Sequence, residues 1–193
     1  TIGLLVGVFA GYNGGLVDEV LSGLTDLFLV IPALPFMVVL AAYLKPSVWN
    51  IILVIGLLWW PSTARVVRAK TMQLRQSQFV EGLIGLGANS RHIMFRHIIP
   101  NVSDVVFAKF TLSIAHAILL ESGLSFIGLG DPENVSWGQM LHYAMVRGGL
   151  LCGAWWSFIP PGVCISLVAI MFIMLGMGLE ERSRYRTRVV AIA

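Results

Sequence analysis

Charge is what this sequence has least of. Asp, Glu, Lys and Arg make up 12% of its 193 residues, about half the roughly 25% of an ordinary soluble domain. A water-facing surface needs more charge than that, so the shortage excludes a soluble globular fold. Cysteine is scarce as well. Cys152 and Cys164 lie in or near an apolar stretch with no metal-ligand spacing around them, and they read as structural thiols. No G-x-x-x-x-G-K-[ST] segment is present to cradle a nucleotide, and "GLGANS", "GLGDPE" and "GMGLEE" all miss the G-x-G-x-x-G spacing. The four histidines form no H-E-x-x-H or comparable metal set, and no Ser and His stand in a pattern that suggests a nucleophile and its base. The net charge of +3 comes from arginines beside apolar runs, which is a topology signal rather than a face for nucleic acid. What remains is a non-catalytic membrane chain with no cofactor of its own.

What the sequence has in quantity is apolar length. Hydrophobic residues reach 57% and the mean hydropathy is +0.83. A hydrocarbon core of about 30 Å takes roughly 20 apolar residues to cross as a helix. Four runs come near that length: "LFLVIPALPFMVVLAAYL" at 27–44, "VWNIILVIGLLWWPSTARVV" at 48–67, "VVFAKFTLSIAHAILLESGL" at 105–124 and "WWSFIPPGVCISLVAIMFIMLGMGL" at 155–179. They predict an all-α, polytopic transmembrane helical bundle, with 1–193 as a single transmembrane domain. The opening "TIGLLVGVFAG" is too short to span. It has no charged n-region or cleavage site and does not read as a signal peptide. It reads as the end of a helix whose beginning, with further residues, lies upstream. Pro32, Pro35, Pro160 and Pro161 fall inside the runs, where they either bend the spans or end them near the interface.

Lys and Arg set the expected orientation. Arg65, Arg68, Lys70, Arg75, Arg91 and Arg96 gather between the runs at 48–67 and 105–124, and Arg182, Arg184, Arg186 and Arg188 follow the last run. The positive-inside rule puts 68–101 and the C-terminus in the cytoplasm. It also places "GYNGGLVDEVLSGLTD" (11–26) inside and the loop 125–154 outside. In that loop Trp137, Leu141 and Ala144 recur at helical spacing, which predicts an amphipathic interfacial helix. The chain is thus expected in a cell membrane, inner or plasma, as a multi-pass protein.

The cytoplasmic stretch "FVEGLIGLGANSRHIMFRHIIPN" (79–101) is patterned rather than merely polar. From Met72 to Leu86 a helical wheel gathers Met72, Phe79, Val80, Leu83, Ile84 and Leu86 on one side and Glu81, Gly82 and Gly85 on the other. Each interior glycine costs about 1 kcal/mol in helix propensity, so two on one face suggest that another backbone or a bulky side chain approaches there. Gly87 is placed to end that helix, and Asn89 or Ser90 to cap a second one over 91–99. The second helix has Met94, Phe95, Ile98 and Ile99 on one arc, with His92, Arg96 and His97 on another. Pro100 ends it or opens the next span. On patterning alone, the alternative is an amphipathic linker resting on the bilayer.

The spacing Glu81, Gly87, Ile99-Pro100 resembles the E-A-A, three residues, G, nine residues, I-x-L-P loop of ABC importer permeases. "GANSRHIMFRHIIPN" is similar to the dipeptide, oligopeptide and nickel branch, in its C-type subunit. "GYNGGLVDE" (11–19), "ESGLSFIGLG" (121–130) and "SWGQML" (136–141) resemble the same branch in the same order. The resemblance implies the type I ABC importer permease fold, a binding-protein-dependent inner membrane component. It implies a coupling helix within 71–100 that docks on an ATPase subunit through Glu81, Gly82, Gly85, Gly87, Ala88, Ser90, Arg91, Ile99 and Pro100. The partners it implies are a second homologous permease, two ATPases holding ATP and Mg, an external solute-binding protein and the lipid bilayer. The sequence departs from the family at Gly82 and Leu83, where two alanines are usual, and at His97, where isoleucine is usual. In "IMLGMGLEE" it has Ile173 and Met177 where the family ending has Asn and Asp.

Lys109 and His116 are seven residues apart in the 105–124 run and so share a helix face; Glu121 lies toward its outer end. One reading puts all three along a translocation pathway. The other has Lys109 reaching the cytoplasmic interface, His116 bonded between helices, and Glu121 in a gate or loop contact. The competing functional class is a secondary carrier or channel subunit without an ATPase, whose inverted repeats are not found in this stretch.

Overall fold

The computed structural model describes residues 1–44, 47–149 and 151–192, with side chains up to Glu181. The C-terminal arginines Arg182, Arg184, Arg186 and Arg188 therefore lie outside the described side chains. The described elements are α1 (Ile2–Asn13), α2 (Gly15–Val30), α3 (Ala33–Tyr43), α4 (Val48–Arg75), α5 (Gln78–Gly85), α6 (Ser90–Ile93), α7 (Ile99–Phe126), α8 (Trp137–Val146) and α9 (Ile159–Ile192). A widened π-type turn, Met94–Ile98, joins α6 to α7, and a short 3-10 turn, Trp155–Ser157, precedes α9. No strand occurs among the described residues, and the chain is all-α. Among the described residues three helical stretches are long and apolar enough to cross a membrane: Val48–Arg75, Ser90–Phe126 and Trp155–Glu181.

The run expected as one span at 27–44 is instead broken. The chain leaves the helix at Ile31 (φ −67°, ψ 124°) and Pro32 (φ −67°, ψ 104°) before α3 begins. Pro32 has no N–H to donate, and its ring pushes the preceding residue out of the helical region. Alone, the 11 residues of α3 reach about 16 Å, so a fourth crossing exists only if α2 and α3 together form a broken span. Pro160 and Pro161 break nothing, because they occupy the first turn of α9, where a missing N–H leaves no bond unmade.

The chain packs as two compact units. The first comprises Thr1–Ile31, Leu58–Lys109 and Gly178–Ala193. Its organising contact is a glycine seam. Gly3, Gly7 and Gly11 recur every fourth residue on α1, and all three are buried. A β-carbon built on them would lie 2.6 Å from Trp60 O, 2.6 Å from Ala64 O and 2.7 Å from Arg68 O. The two backbones run in register at a distance that only a small-xxx-small pattern permits. Beside the seam, Val8, Tyr12, Val67, Val80, Ile93, Met94, Ile98 and Val102 form a buried core, with Leu74 and Leu83 packed against it.

The second unit comprises Pro32–Leu57 and Phe110–Met177. Here Gly176 of α9 meets Leu112 of α7, whose Cγ would sit 2.7 Å from an added β-carbon. α7 ends in a turn at Gly128 (φ 89°). The N–H groups of Gly128 and Leu129 close that turn on Ser125 O and Leu124 O, both at 3.0 Å, the Schellman pattern in which glycine supplies the left-handed residue.

Candidate functional site

The segment 76–100 is built by three local decisions. α4 continues to Arg75, and the next helix starts only at Gln78. The single helix expected over 72–86 is therefore divided, because Ser77 turns to extended backbone (φ −80°, ψ 145°). Gly87 (φ 79°) then ends α5, with Ala88 N–H donating to Leu83 O at 3.0 Å and Gly87 N–H to Ile84 O at 2.9 Å. A side-chain-bearing residue in that left-handed conformation costs about 1–2 kcal/mol, which accounts for glycine at 87. Asn89 restarts the helix as its N-cap, Oδ1 accepting from Arg91 N–H at 3.1 Å.

The second helix, expected to be separate over 91–99, runs on without interruption through the π turn into α7. Pro100 neither ends the helix nor opens it: it lies inside the continuous stretch, directly after the π turn, where it has no N–H to donate to the preceding turn. The π turn also redraws the faces. Ile93, Met94 and Ile98 are buried, whereas Phe95, expected on that arc, is 55% exposed. The wider turn brings His92 and His97 edge to face, with ring centroids 5.6 Å apart.

This segment has one anchored face and one open face. Val80 and Ile93 are fully buried in the first unit's core, and Leu83, Ala88 and Ile99 pack against it. Glu81, Gly82, Gly85, Gly87, Ser90, Arg91 and Pro100 are exposed. A β-carbon on Gly82, Gly85 or Gly87 would meet nothing within 4 Å. Phe79, Ile84 and Leu86 expose 44%, 50% and 86% of their surface, so the apolar face expected of the 72–86 helix is not uniformly inward. Glycine with empty space beside exposed apolar side chains gives a surface for close approach by another protein.

Lys109 lies half-buried in the first unit, and His116 and Glu121 belong to the second. His116 Nδ1–H donates to Leu112 O of its own helix at 2.9 Å. Glu121 Oε1 accepts from Ser125 Oγ at 2.7 Å at the start of a compact knot. There Gly138 lies against Ser122, whose carbonyl oxygen would stand 2.5 Å from an added β-carbon, and His142 Nδ1–H donates to Phe126 O at 2.8 Å. The sequence stretches 121–130 and 136–141 are thus two sides of one contact. The buried face of α8 is Gly138, Gln139 and Ala144, while Trp137, expected on the same stripe as Ala144, is 39% exposed. Among the described residues no three His, Cys, Asp or Glu side chains gather as a metal set.

Two ion pairs between α2 and α4 were not foreseen. Arg68 grips Asp18 with both arms, Nε to Oδ1 at 2.5 Å and Nη2 to Oδ2 at 2.6 Å, and Ser22 Oγ donates to the same carboxylate at 3.1 Å. Arg65 meets Asp26 at 2.6 Å. Arg68, Ser22, Arg65 and Asp26, with Gly7, Thr25 and Ala64, border a cavity of about 210 Å³. The first two partners are 50 residues apart, so only composition hinted at the pairing: acidic residues on one segment and arginines on the next.

Comparison with known proteins agrees with this architecture. The family described as binding-protein-dependent transport system inner membrane component matches residues 3–186. A Brucella ovis protein with the provisional name of peptide permease is 38% identical over 182 residues, covering 93% of this chain and 60% of its own length. The oligopeptide transport system permease protein of Bacillus subtilis is 31% identical over 182 residues, 93% of this chain and 58% of its own length. The dipeptide transport system permease protein of the same organism is 31% identical over 181 residues, 93% and 56%. The chain thus spans less than two thirds of these relatives. It belongs to the family of binding-protein-dependent transport system inner membrane components.

Proposed function

We propose that this chain is the membrane-spanning, non-catalytic permease subunit of an ATP-driven peptide importer. The segment 71–100 is its cytoplasmic coupling element, docking on a partner ATPase that holds ATP and Mg. The observation that carries this reading is the open face of Glu81, Gly82, Gly85 and Gly87 mounted on a buried core. A docked partner that moves Val80, Leu83 and Ile93 must move α1, α4 and α7, because their side chains share one packed cluster. ATP binding in the partner then biases a two-state equilibrium between inward-facing and outward-facing arrangements. A second permease, two ATPases and an external solute-binding protein complete the proposed assembly. Relatives named for peptide, oligopeptide and dipeptide transport make peptides the first cargo to test and nickel the second. Glu81→Lys is expected to abolish stimulation of ATPase by the loaded binding protein while membrane insertion stays normal. Stimulation that persists in Glu81→Lys at the wild-type level would remove the segment's proposed role.

A further inference from the structure

The second unit contains a groove of about 600 Å³, within the range of small-ligand sites, between the first half of α4, the outer half of α7 and the start of α8. Its wall is aliphatic, with Ile51, Ile55, Ile114 and Ile118 facing it, and Trp137 and Met140 close one end. Among the described residues that line it, Glu121 is the only charged one. An ionisable side chain near the end of a membrane helix that looks into a cavity calls for a partner of opposite charge. Among the described residues its immediate neighbours, Ser122 and Ser125, do not supply one. Ser125 donates to Oε1 at 2.7 Å and Ser122 reaches Oε2 only at 3.5 Å, which leaves acceptor positions on a carboxylate that offers about four.

From this we infer that the groove receives the free amino terminus of a peptide whose first side chain is apolar, with Glu121 as the counter-ion. The inference rests on the peptide-importer reading above. Charge complementarity selects the occupant: a lipid tail matches the isoleucines but leaves the carboxylate unpaired, whereas a peptide with an apolar first residue offers an ammonium and a hydrocarbon side chain together. Trp137 adds an aromatic face of the kind that attracts a cation. Ser136 Oγ accepts from Gln139 N–H at 3.2 Å and keeps its own O–H to offer the peptide carbonyl.

The test uses the assembled importer in membranes, with Cys152 and Cys164 replaced by serine and Ile118→Cys as a reporter in the groove wall. Maleimide labelling of the reporter is followed with leucinamide or N-acetyl-leucinamide present. Leucinamide is expected to slow labelling, and the acetylated form, which lacks the charge, to be about tenfold weaker, the effect of losing one charge-assisted hydrogen bond. Glu121→Gln should remove the difference between the two, and Glu121→Asp should keep part of it. Equal protection by both compounds, or by neither, overturns the inference. So does a reporter that no maleimide reaches, because a partner subunit then fills the groove. ATPase stimulation by the loaded binding protein is read in parallel. Stimulation without selective protection defeats this subsite alone, and a chain that assembles with no ATPase defeats both readings.

Discussion

On α1 a β-carbon at Gly3, Gly7 or Gly11 would lie 2.6–2.7 Å from a carbonyl of α4, whereas at Gly82, Gly85 and Gly87 it would meet nothing within 4 Å. Both sets lie in the same compact unit, and the helical members, Gly3, Gly7 and Gly11 on α1 and Gly82 and Gly85 on α5, carry the same penalty in helix propensity. The α1 glycines offset that penalty inside the chain, by letting two backbones touch. Gly87 is used within the chain, since its left-handed φ of 79° ends α5, whereas Gly82 and Gly85 face open space and gain no packing there. Crowded glycines thus mark internal seams, and the open face at Gly82 and Gly85 is the surface proposed above to receive a partner.

The largest expected effect comes from filling a seam. Gly7→Leu drives a side chain into Ala64 O and Val67, which would lie 2.6 and 2.7 Å from its first carbon. Gly138→Leu does the same to Ser122. Overpacking of this kind costs about 1–3 kcal/mol and sometimes more. The prediction is a lower midpoint of thermal unfolding in detergent for both variants. A wild-type midpoint in either would mean that the seam is looser than its geometry requires.

A smaller effect separates the two ion pairs. Asp18→Asn removes a two-armed acceptor whose side chain is 16% exposed, and it should destabilise by about 1–2 kcal/mol, as for a hydrogen-bonded charge partly out of water. Asp26→Asn breaks a pair whose side chains are 60% and 61% exposed, and such pairs are worth about 0–1 kcal/mol. Unfolding midpoints of the two variants at low and high salt check the order. Equal shifts would contradict it.

The smallest effect is one of pH. The carboxylate of Asp131, in the turn before α8, accepts from Glu133 N–H at 3.0 Å, Asn134 Nδ2 at 2.9 Å and Val48 N–H at 3.2 Å. The bond from the Glu133 backbone is the largest cause holding its pKa below the usual 3.8. A depressed folded-state pKa contributes stability above the unfolded value that is lost as pH falls through the folded one. Proteolysis at 131–135 should therefore rise below about pH 4, and Asp131→Asn should flatten that dependence.

The sequence was most informative where one local rule acts alone. Gly87 and Asn89 end and restart a helix through bonds to residues two to five positions away, so turn chemistry was enough to place them. The runs at 48–67, 105–124 and 155–179 were legible because apolar length has few other uses. The run at 27–44 looked equally continuous, although Pro32 was visible in it; hydropathy does not register a missing N–H. The fusion of 91–99 with α7 was not legible either. A π turn shifts the periodicity of the faces, so Phe95 falls outward where a 3.6-residue repeat puts it inward. The contact between 121–130 and 136–141 and the Asp18–Arg68 pair depend on tertiary proximity, which no local pattern records. The open face of 76–100 was half legible. The wheel sets Gly82 and Gly85 together with Glu81, and all three are exposed, but exposure of Phe79 and Leu86 does not follow from a wheel that groups them with buried Val80.

The comparison between crowded and open glycines is tested most directly at Gly82. Gly82→Leu fills space that is empty in the chain, so helix propensity should leave thermal stability unchanged or raise it by about 0.5–1 kcal/mol. The measurement is the ATPase recovered with the affinity-purified chain, set beside the unfolding midpoint of the same preparation. The account predicts a wild-type or higher midpoint together with loss of most of the bound ATPase. A variant that keeps its ATPase in full, or that loses it only because the chain has unfolded, would contradict the claim that this face is kept open for a partner.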